Sequence, residues 1–330
     1  MKPAEMEESL HDFEPIRTRD DFETCRIDFS DMKQTIDCPP MLLKYVIGKG
    51  GEKKREIEQE TKTRITIPDR KNPDDPIVVQ GLSSAEMLNS ALTRIQLTMD
   101  RGRAKEPFTH FVSIPVVNVE VLERFEVFKE SVLSMGFAKS RRIDEQLFQK
   151  PQKLHITVAT LALLSKNEVK EAVELMNNLH KELSALVNGK NLSFQLKGLE
   201  IMNDDPSSVD VLYAKVDGES SMMLQVIADT VYERFSNTGY LQKSFERDSV
   251  KMHVTLMNSK FRGERVSKDV KNSEDCDEEE RKTFDIQEVL DNMGDFDFGA
   301  ITVDKIHLSQ RYSTNSKTGY YSESCILTLS

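Results

Sequence analysis

One short stretch of this chain is written twice. Lys153-Leu154-His155-Ile156-Thr157-Val158 returns as Lys251-Met252-His253-Val254-Thr255-Leu256, keeping the order basic, apolar, His, apolar, Thr, apolar. Period-two alternation, β-branched residues and the absence of Gly and Pro predict a β-strand for each copy. Residues two apart on a strand share a face, so each His shares its face with its own Thr and with the Lys before it. Leu154, Ile156 and Val158, and likewise Met252, Val254 and Leu256, then turn into a core. If the strands are related by an internal two-fold, two imidazoles and two hydroxyls converge on one groove. Such a pair is chemically useful because near neutral pH one ring can be neutral and the other protonated. A single His-x-Thr is most often an ordinary half-buried strand pair; the matching flanks give this one its weight.

The totals bound the rest. A length of 330 residues suits two or three domains. With 38% apolar and 31% charged residues and a mean hydropathy of -0.49, the chain reads as soluble. It has no membrane-spanning run and no apolar signal segment at its start. Cys25, Cys38, Cys276 and Cys325 lack metal-ligand spacing and read as free thiols of a reducing compartment. A net charge of -11 excludes a protein basic throughout, but its distribution is uneven. Residues 1–31 carry four basic and ten acidic side chains, whereas 40–71 carry nine basic and five acidic. Cation gathered around one glycine-rich loop asks for an anionic partner there.

Taken in order, residues 1–21 read as an acidic flexible tail, with order beginning near Phe22. A strand over 33–37 stops at Pro39-Pro40, and a short helix over 41–47 ends at Gly48-Lys49-Gly50-Gly51. A helix over 52–61, strands over 64–67 and 77–80, and an amphipathic helix over 83–99 follow, the last capped by Ser83 with Glu86. This order, and the run Val46-Ile47-Gly48-Lys49-Gly50-Gly51-Glu52-Lys53-Lys54-Arg55 continuing to Ile67, resembles the KH domain of the eukaryotic type, a type I βααββα unit. The resemblance implies that residues 22–104 bind single-stranded RNA, with single-stranded DNA left open, through a G-x-x-G clamp on the backbone. Gly48 and Gly51 let phosphates approach, the helix from Glu52 offers N–H groups, and Lys49, Lys53 and Arg55 add charge. Ile47, Ile57 and Ile65 would floor the bases. Glu52, beside the loop, counts against strong phosphate binding. A P-loop is excluded, since Gly-x-x-x-x-Gly-Lys-Ser/Thr is absent.

The basic segment 101–105 before Pro107 marks the domain boundary. Beyond it the pattern predicts a strand over 108–114, a helix over 119–135, the first His strand, and a helix over 167–187 capped by Asn167. Strands over 192–202 and 209–216, a helix over 220–235 and the second His strand come next. A charged mobile insert over 263–282, a short helix over 286–293 and strands over 300–308 and 320–329 complete the chain. The halves 108–190 and 192–308 alternate similarly, each placing one His strand after a helix.

This second domain, 105–330, resembles the two-histidine (2H) phosphoesterase superfamily, which implies an α+β, bilobed, internally duplicated LigT-like fold. Carried over, His155 and His253 are the acid–base pair, and Thr157 and Thr255 hydrogen-bond the non-bridging phosphate oxygens. Cleaving a phosphodiester needs one proton removed and one delivered, which two in-line imidazoles supply. No metal or cofactor is implied, as no third ligand type clusters in sequence near either His. Lys153, Lys251, His307 and Arg311 stand as groove-lining candidates, while His110 reads as a strand His with a local hydrogen bond. A KH unit joined to a 2H unit, with strings such as Pro-Phe-Thr-His-Phe and His-Leu-Ser-Gln-Arg, is similar to a family of KH/2H subunits. That family implies a nuclear protein, partly cytoplasmic, monomeric outside a helicase-containing complex that serves transcriptional coactivation and alkylation-damage repair, with no membrane role. Three readings stay open: an RNA-directed, metal-independent phosphodiesterase, a non-catalytic nucleic-acid-binding adaptor, and a 2H-type RNA ligase or cyclic-phosphate hydrolase.

Overall fold

Proline sets the first boundary of the N-terminal unit. β1 (Lys33–Ile36) stops before Pro39, and α1 (Pro40–Ile47) places Pro40 where a missing N–H costs nothing. The computed structural model describes residues 32–218, 221–242, 249–262 and 283–329. The tail over 1–21, the onset of order near Phe22, Cys25, Cys276 and the insert over 263–282 lie outside the described residues. α2 (Glu52–Thr61), β2 (Thr63–Thr66), β3 (Ile77–Gly81) and α3 (Ala85–Arg103) complete the unit, with β3 between β1 and β2 and antiparallel to both. Leu42, Val46, Ile57, Ile65, Ile77 and Val79 meet the Leu88–Ala91–Ile95–Met99 stripe of α3 in one core.

Three expectations for this unit are corrected. α3 is capped by Ser84, not Ser83: Ser84 has extended backbone and its Oγ accepts from the Met87 N–H at 3.2 Å. Ile57 and Ile65 lie in the core rather than under bases, because they occupy the inward faces of α2 and β2, and only Ile47 stays half-buried beside the loop. The basic segment 101–105 is not a plain linker either, since α3 runs through Arg103.

The second unit is one eight-stranded sheet in the order β11-β10-β4-β5-β8-β7-β6-β9, all neighbours antiparallel. Its strands are β4 (His110–Pro115), β5 (His155–Leu161), β6 (Ser193–Ile201), β7 (Val211–Asp217), β8 (His253–Asn258), β9 (Asp297–Thr302), β10 (Lys305–Thr314) and β11 (Tyr321–Thr328). α4 (Val119–Ser134), α5 (Lys166–Val187) and α6 (Ser221–Ser236) cover it, and α7 (Gln287–Met293) is a short addition. α4 seats Val121, Phe125, Phe128 and Val132 in the core, and α5 seats Ala172, Met176, Leu179 and Leu183.

The two His strands are neighbours at the centre of the sheet. Outward from that seam the halves mirror each other: strand, helix and His strand in one (β4-α4-β5), strand, helix and His strand in the other (β7-α6-β8). Even the irregularities match. β5 carries an extra residue, Val158, against the Val112–Ser113 step of β4, setting Ser113 opposite Thr157, and β8 carries Leu256 against the Leu212–Tyr213 step of β7, setting Tyr213 opposite Thr255. Paired bulges at equivalent points re-aim side chains on both sides of the seam alike.

Three further boundaries differ. The expected strand over 300–308 divides at Val303-Asp304 into β9 and β10, which lie far apart in strand order, so the sheet curls until a two-residue link joins them. The first lobe therefore takes β10 and β11 beside β4, and the halves are not the contiguous 108–190 and 192–308. α5 is capped by Ser165, whose Oγ accepts from the Glu168 N–H at 3.2 Å, rather than by Asn167.

Candidate active site and nucleic-acid interface

The central seam assembles the quartet. Ile156 lies opposite Val254; continued one residue each way, that register sets His155 beside Thr255 and Thr157 beside His253. All four alternate away from the buried Leu154, Ile156, Val158, Val254 and Leu256 and are half-buried on the opposite face. The strands begin at His155 and His253, so Lys153 and Lys251 precede them instead of sharing their pleat, and Lys153 closes a 3-10 turn.

Those two lysines serve the histidines through their backbones. His155 Nδ1 lies 2.7 Å from the Lys153 carbonyl oxygen, and His253 Nδ1 lies 2.7 Å from that of Lys251. A carbonyl only accepts, so Nδ1 carries the proton in each ring, and in a neutral ring Nε2 is the unprotonated nitrogen. Each ring is also braced by an aromatic edge: Tyr321 stands 5.5 Å from His155 at 84°, and Tyr213 stands 5.2 Å from His253 at 65°. Each lysine ammonium lies over the same tyrosine, Lys153 at 4.2 Å from Tyr321 and Lys251 at 4.8 Å from Tyr213. Lys153 Nζ donates to Thr314 Oγ1 at 2.8 Å, and the Tyr213 hydroxyl donates to Glu200. Phe111, 5.1 Å from His155, completes its packing.

These braces, Tyr213, Tyr321 and Phe111, were not legible as site residues, because aromatic residues on strands usually signal core. Burial pushes the His155 imidazole down to about 4; the Lys153 carbonyl opposes this, and the charges of His253 and Lys153 add to it. His155 is thus neutral at pH 7. Among the described residues no group of three or more His, Cys, Asp and Glu side chains is placed to hold a metal ion.

The other groove-lining candidates lie farther out. Arg311 stacks over Phe108 at 4.1 Å and Tyr312 at 5.0 Å, and Phe108 in turn meets Phe111 edge-on at 6.3 Å. His307 is buried on β10 opposite Ser113, separated from His155 by the ring of Tyr320, which stands edge-on to both. His110 has the expected local partner, Thr109 Oγ1 at 3.0 Å from its Nδ1, and burial lowers its pKa.

In the N-terminal unit the Gly-rich loop is a single 3-10 turn (Lys49–Gly51) between α1 and α2. Gly48, Gly50 and Gly51 all hold positive φ. At Gly48 an added Cβ would lie 2.7 Å from Lys53 Cβ, so no other residue fits. Of the expected cations Lys49 is exposed at the loop tip and Arg55 is exposed on α2, while Lys53 is half-buried. Lys53 pairs with Glu56 at 3.0 Å, and Arg55 donates from Nη2 to the Gly50 carbonyl at 2.9 Å, tying the loop to α2.

The units meet through α3. Arg103 donates to the Ala162 carbonyl and to both carboxylate oxygens of the buried Glu168, whose carboxylate also accepts from Leu164 N–H at 2.6 Å. Glu106, buried, takes Lys44 at 2.5 Å and the Tyr45 hydroxyl at 3.0 Å, and these hold its carboxyl below the usual range despite burial. Gly102 lets α3 press on the Tyr45 ring, which an added Cβ would strike at 2.4 Å.

A small βααββα unit with a G-x-x-G turn, joined to a duplicated sheet with two His-x-Thr strands at its seam, defines a KH domain fused to a 2H phosphoesterase-like domain. Residues 33–96 match the KH domain model and residues 108–328 match the AKAP7 2'5' RNA ligase-like domain model. The chain is 38% identical to mouse activating signal cointegrator 1 complex subunit 1 over 88% of its own length and 82% of that protein's. It is 25% identical to human A-kinase anchor protein 7 isoform gamma over 45% of this chain and 39% of that one. The chain belongs to the family of activating signal cointegrator 1 complex subunit 1.

Proposed function

We propose that the chain is an RNA-binding, metal-independent phosphodiesterase: the KH unit holds a single strand and the quartet at the seam cleaves a phosphodiester. The observation that carries this reading is the matched tethering of His155 and His253, on adjacent central strands, by the carbonyls two residues before them. His155, kept neutral by burial, is the general base that takes the proton of the attacking water or hydroxyl. His253, protonated at Nε2, is the acid that delivers a proton to the leaving oxygen. Thr157 and Thr255 donate to the non-bridging oxygens as charge builds on them. Each imidazole contributes roughly 10²–10⁴-fold by this chemistry, and no step requires a cation.

In the KH unit, Gly48 and Gly51 admit the backbone, Lys49 and Arg55 supply exposed charge, and Ile47 offers the apolar contact; Arg55 also ties the turn to α2. By its kinship with the mouse relative, the chain serves as a nuclear subunit of the helicase-containing activating signal cointegrator complex. The test is incubation of labelled single-stranded RNA with the full chain in EDTA. Cleavage that is lost in His155→Ala and in His253→Ala supports the enzyme. RNA binding without products in the wild type supports the non-catalytic adaptor instead. Gly50→Asp separates the role of the KH unit: if it cleaves long RNA as well as the wild type, the loop does not present the substrate.

A further inference from the structure

The two imidazoles are braced by the same device, and on the His253 side that device has a further part. The Tyr213 ring stands edge-on to His253 and carries the Lys251 ammonium over its face, while the Lys251 carbonyl holds His253 Nδ1. One ring thus fixes both the imidazole and the residue whose backbone orients it. Tyr213 is fully buried, and a buried hydroxyl needs a partner. Burial first, and the Glu200 carboxylate after it, push the phenol up, so it stays protonated and donates to that carboxylate. Glu200 lies opposite Tyr213, and Tyr213 lies opposite Thr255, so one cross-strand row runs from β6 through β7 to the seam. Glu200 itself is exposed, an acidic side chain at the surface held on a phenol in the interior.

Across the seam the counterpart ring, Tyr321, carries Lys153, whose ammonium donates to the neutral hydroxyl of Thr314. The charges that act on His155 are those of His253 and Lys153, both cationic. The brace backed by a carboxylate therefore stands on the side assigned to the acid, where a cationic ring has to be held.

We propose that Glu200 is a positioning residue for proton delivery: through the Tyr213 hydroxyl it holds the Tyr213–Lys251–His253 stack so that the His253 imidazolium is aimed at the leaving oxygen. The proposal rests on the reading of His253 as the acid of a phosphodiesterase. In that step a new P–O bond forms as His155 takes the proton of the attacking water or hydroxyl. The bond from phosphorus to the leaving group breaks, its electron pair stays on the leaving oxygen, and the His253 proton bonds there. Glu200 and Tyr213 exchange no proton; they act by fixing where the imidazole points.

The experiment gives the full chain two substrates. One is a dinucleotide, whose leaving alkoxide needs a proton; the other is the 4-nitrophenyl ester of the same nucleotide, whose phenolate leaves without one. Glu200→Ala, at an exposed position, and Tyr213→Phe, which keeps the ring, should each lower the ratio of dinucleotide to ester cleavage about 10–10²-fold, the cost of a misplaced group. Glu200→Gln, whose amide oxygen still accepts from the phenol, should recover most of that loss. Glu200→Ala combined with Tyr213→Phe should be no worse than either alone, since the two are links of one chain. His253→Ala sets the full scale of the selectivity, and His155→Ala, which removes the base, slows both substrates alike. A Glu200→Ala variant that slows both substrates equally or neither, or a Glu200→Gln variant as impaired as Glu200→Ala, would overturn the proposal. Failure of the reading beneath it looks different and takes the proposal with it: the wild type then cleaves neither substrate, or His253→Ala slows both alike.

Discussion

His155 and His253 sit in equivalent half-buried positions, each tethered by the carbonyl two residues before it, and desolvation lowers the His155 pKa. Because the folded His155 ring holds its proton less tightly than the unfolded one, its contribution to stability is fully present above about pH 6.5 and is lost as pH falls through about 4. A histidine-resolved NMR titration should therefore find one ring titrating near 4 in the free protein. Inorganic phosphate should raise that midpoint, since an anion favours the imidazolium; a midpoint near 6.5 with or without phosphate would remove His155 as the buried base. Thr157→Val and Thr255→Val keep shape while removing a donor, and each should lower the cleavage rate about 10²–10³-fold with little change in the pH profile. Measuring rates across pH distinguishes this from damage to the imidazoles, which would reshape the profile. The four residues of the seam were legible because a strand period of two leaves no freedom over which side chains share a face. The aromatic braces were not, since nothing in Tyr213, Tyr321 or Phe111 taken singly distinguishes packing against a catalytic ring from packing in a core. His307 was legible only as a candidate; its burial opposite Ser113 is a property of the fold.

At the scale of elements, the G-x-x-G turn shows how composition becomes geometry. Gly48 adopts φ 72° and ψ 175°, a region open essentially to glycine alone, whereas Gly50 sits in the ordinary left-handed region with open space around it. Gly48→Ala should thus cost about 1–3 kcal/mol of backbone strain and more from the clash with Lys53, and Gly50→Ala should cost less. Urea unfolding of the two variants checks the order, and equal losses would mean that the turn tolerates a side chain at Gly48. Helices and strands were read nearly to the residue where local signals decide them, as at Pro40 and over Glu52–Thr61. The errors fall where tertiary structure decides. Ser83 and Ser84 are chemically the same cap, and the seating of Leu88 in the core selects between them. The run over 300–308 is uniformly strand-like in sequence, and only the curl of the sheet divides it between opposite ends of the strand order.

At the scale of the whole molecule, the two units have separate cores, but their junction is built from buried charge. Arg103 and Glu168 have side chains 12% and 9% exposed, and they hold the end of α3 against the loop after β5 while Leu164 packs on the KH core. The sequence showed only a basic stretch there. A run of arginines reads as solvated until a carboxylate more than sixty positions away is known to face it. Removing one member of a buried pair strands the other, at a cost of about 3–5 kcal/mol. Arg103→Ala should lower stability by that order and, because each unit keeps its own core, should split one calorimetric transition into two. It should also weaken cleavage of long RNA more than cleavage of a dinucleotide, since only the long substrate engages both units at once. Replacing the pair together, Arg103→Met with Glu168→Leu, should return most of the stability by leaving no charge unpaired. If Arg103→Ala unfolds in a single step and cleaves long and short substrates in the wild-type ratio, the junction does not couple the strand-holding unit to the strand-cutting one.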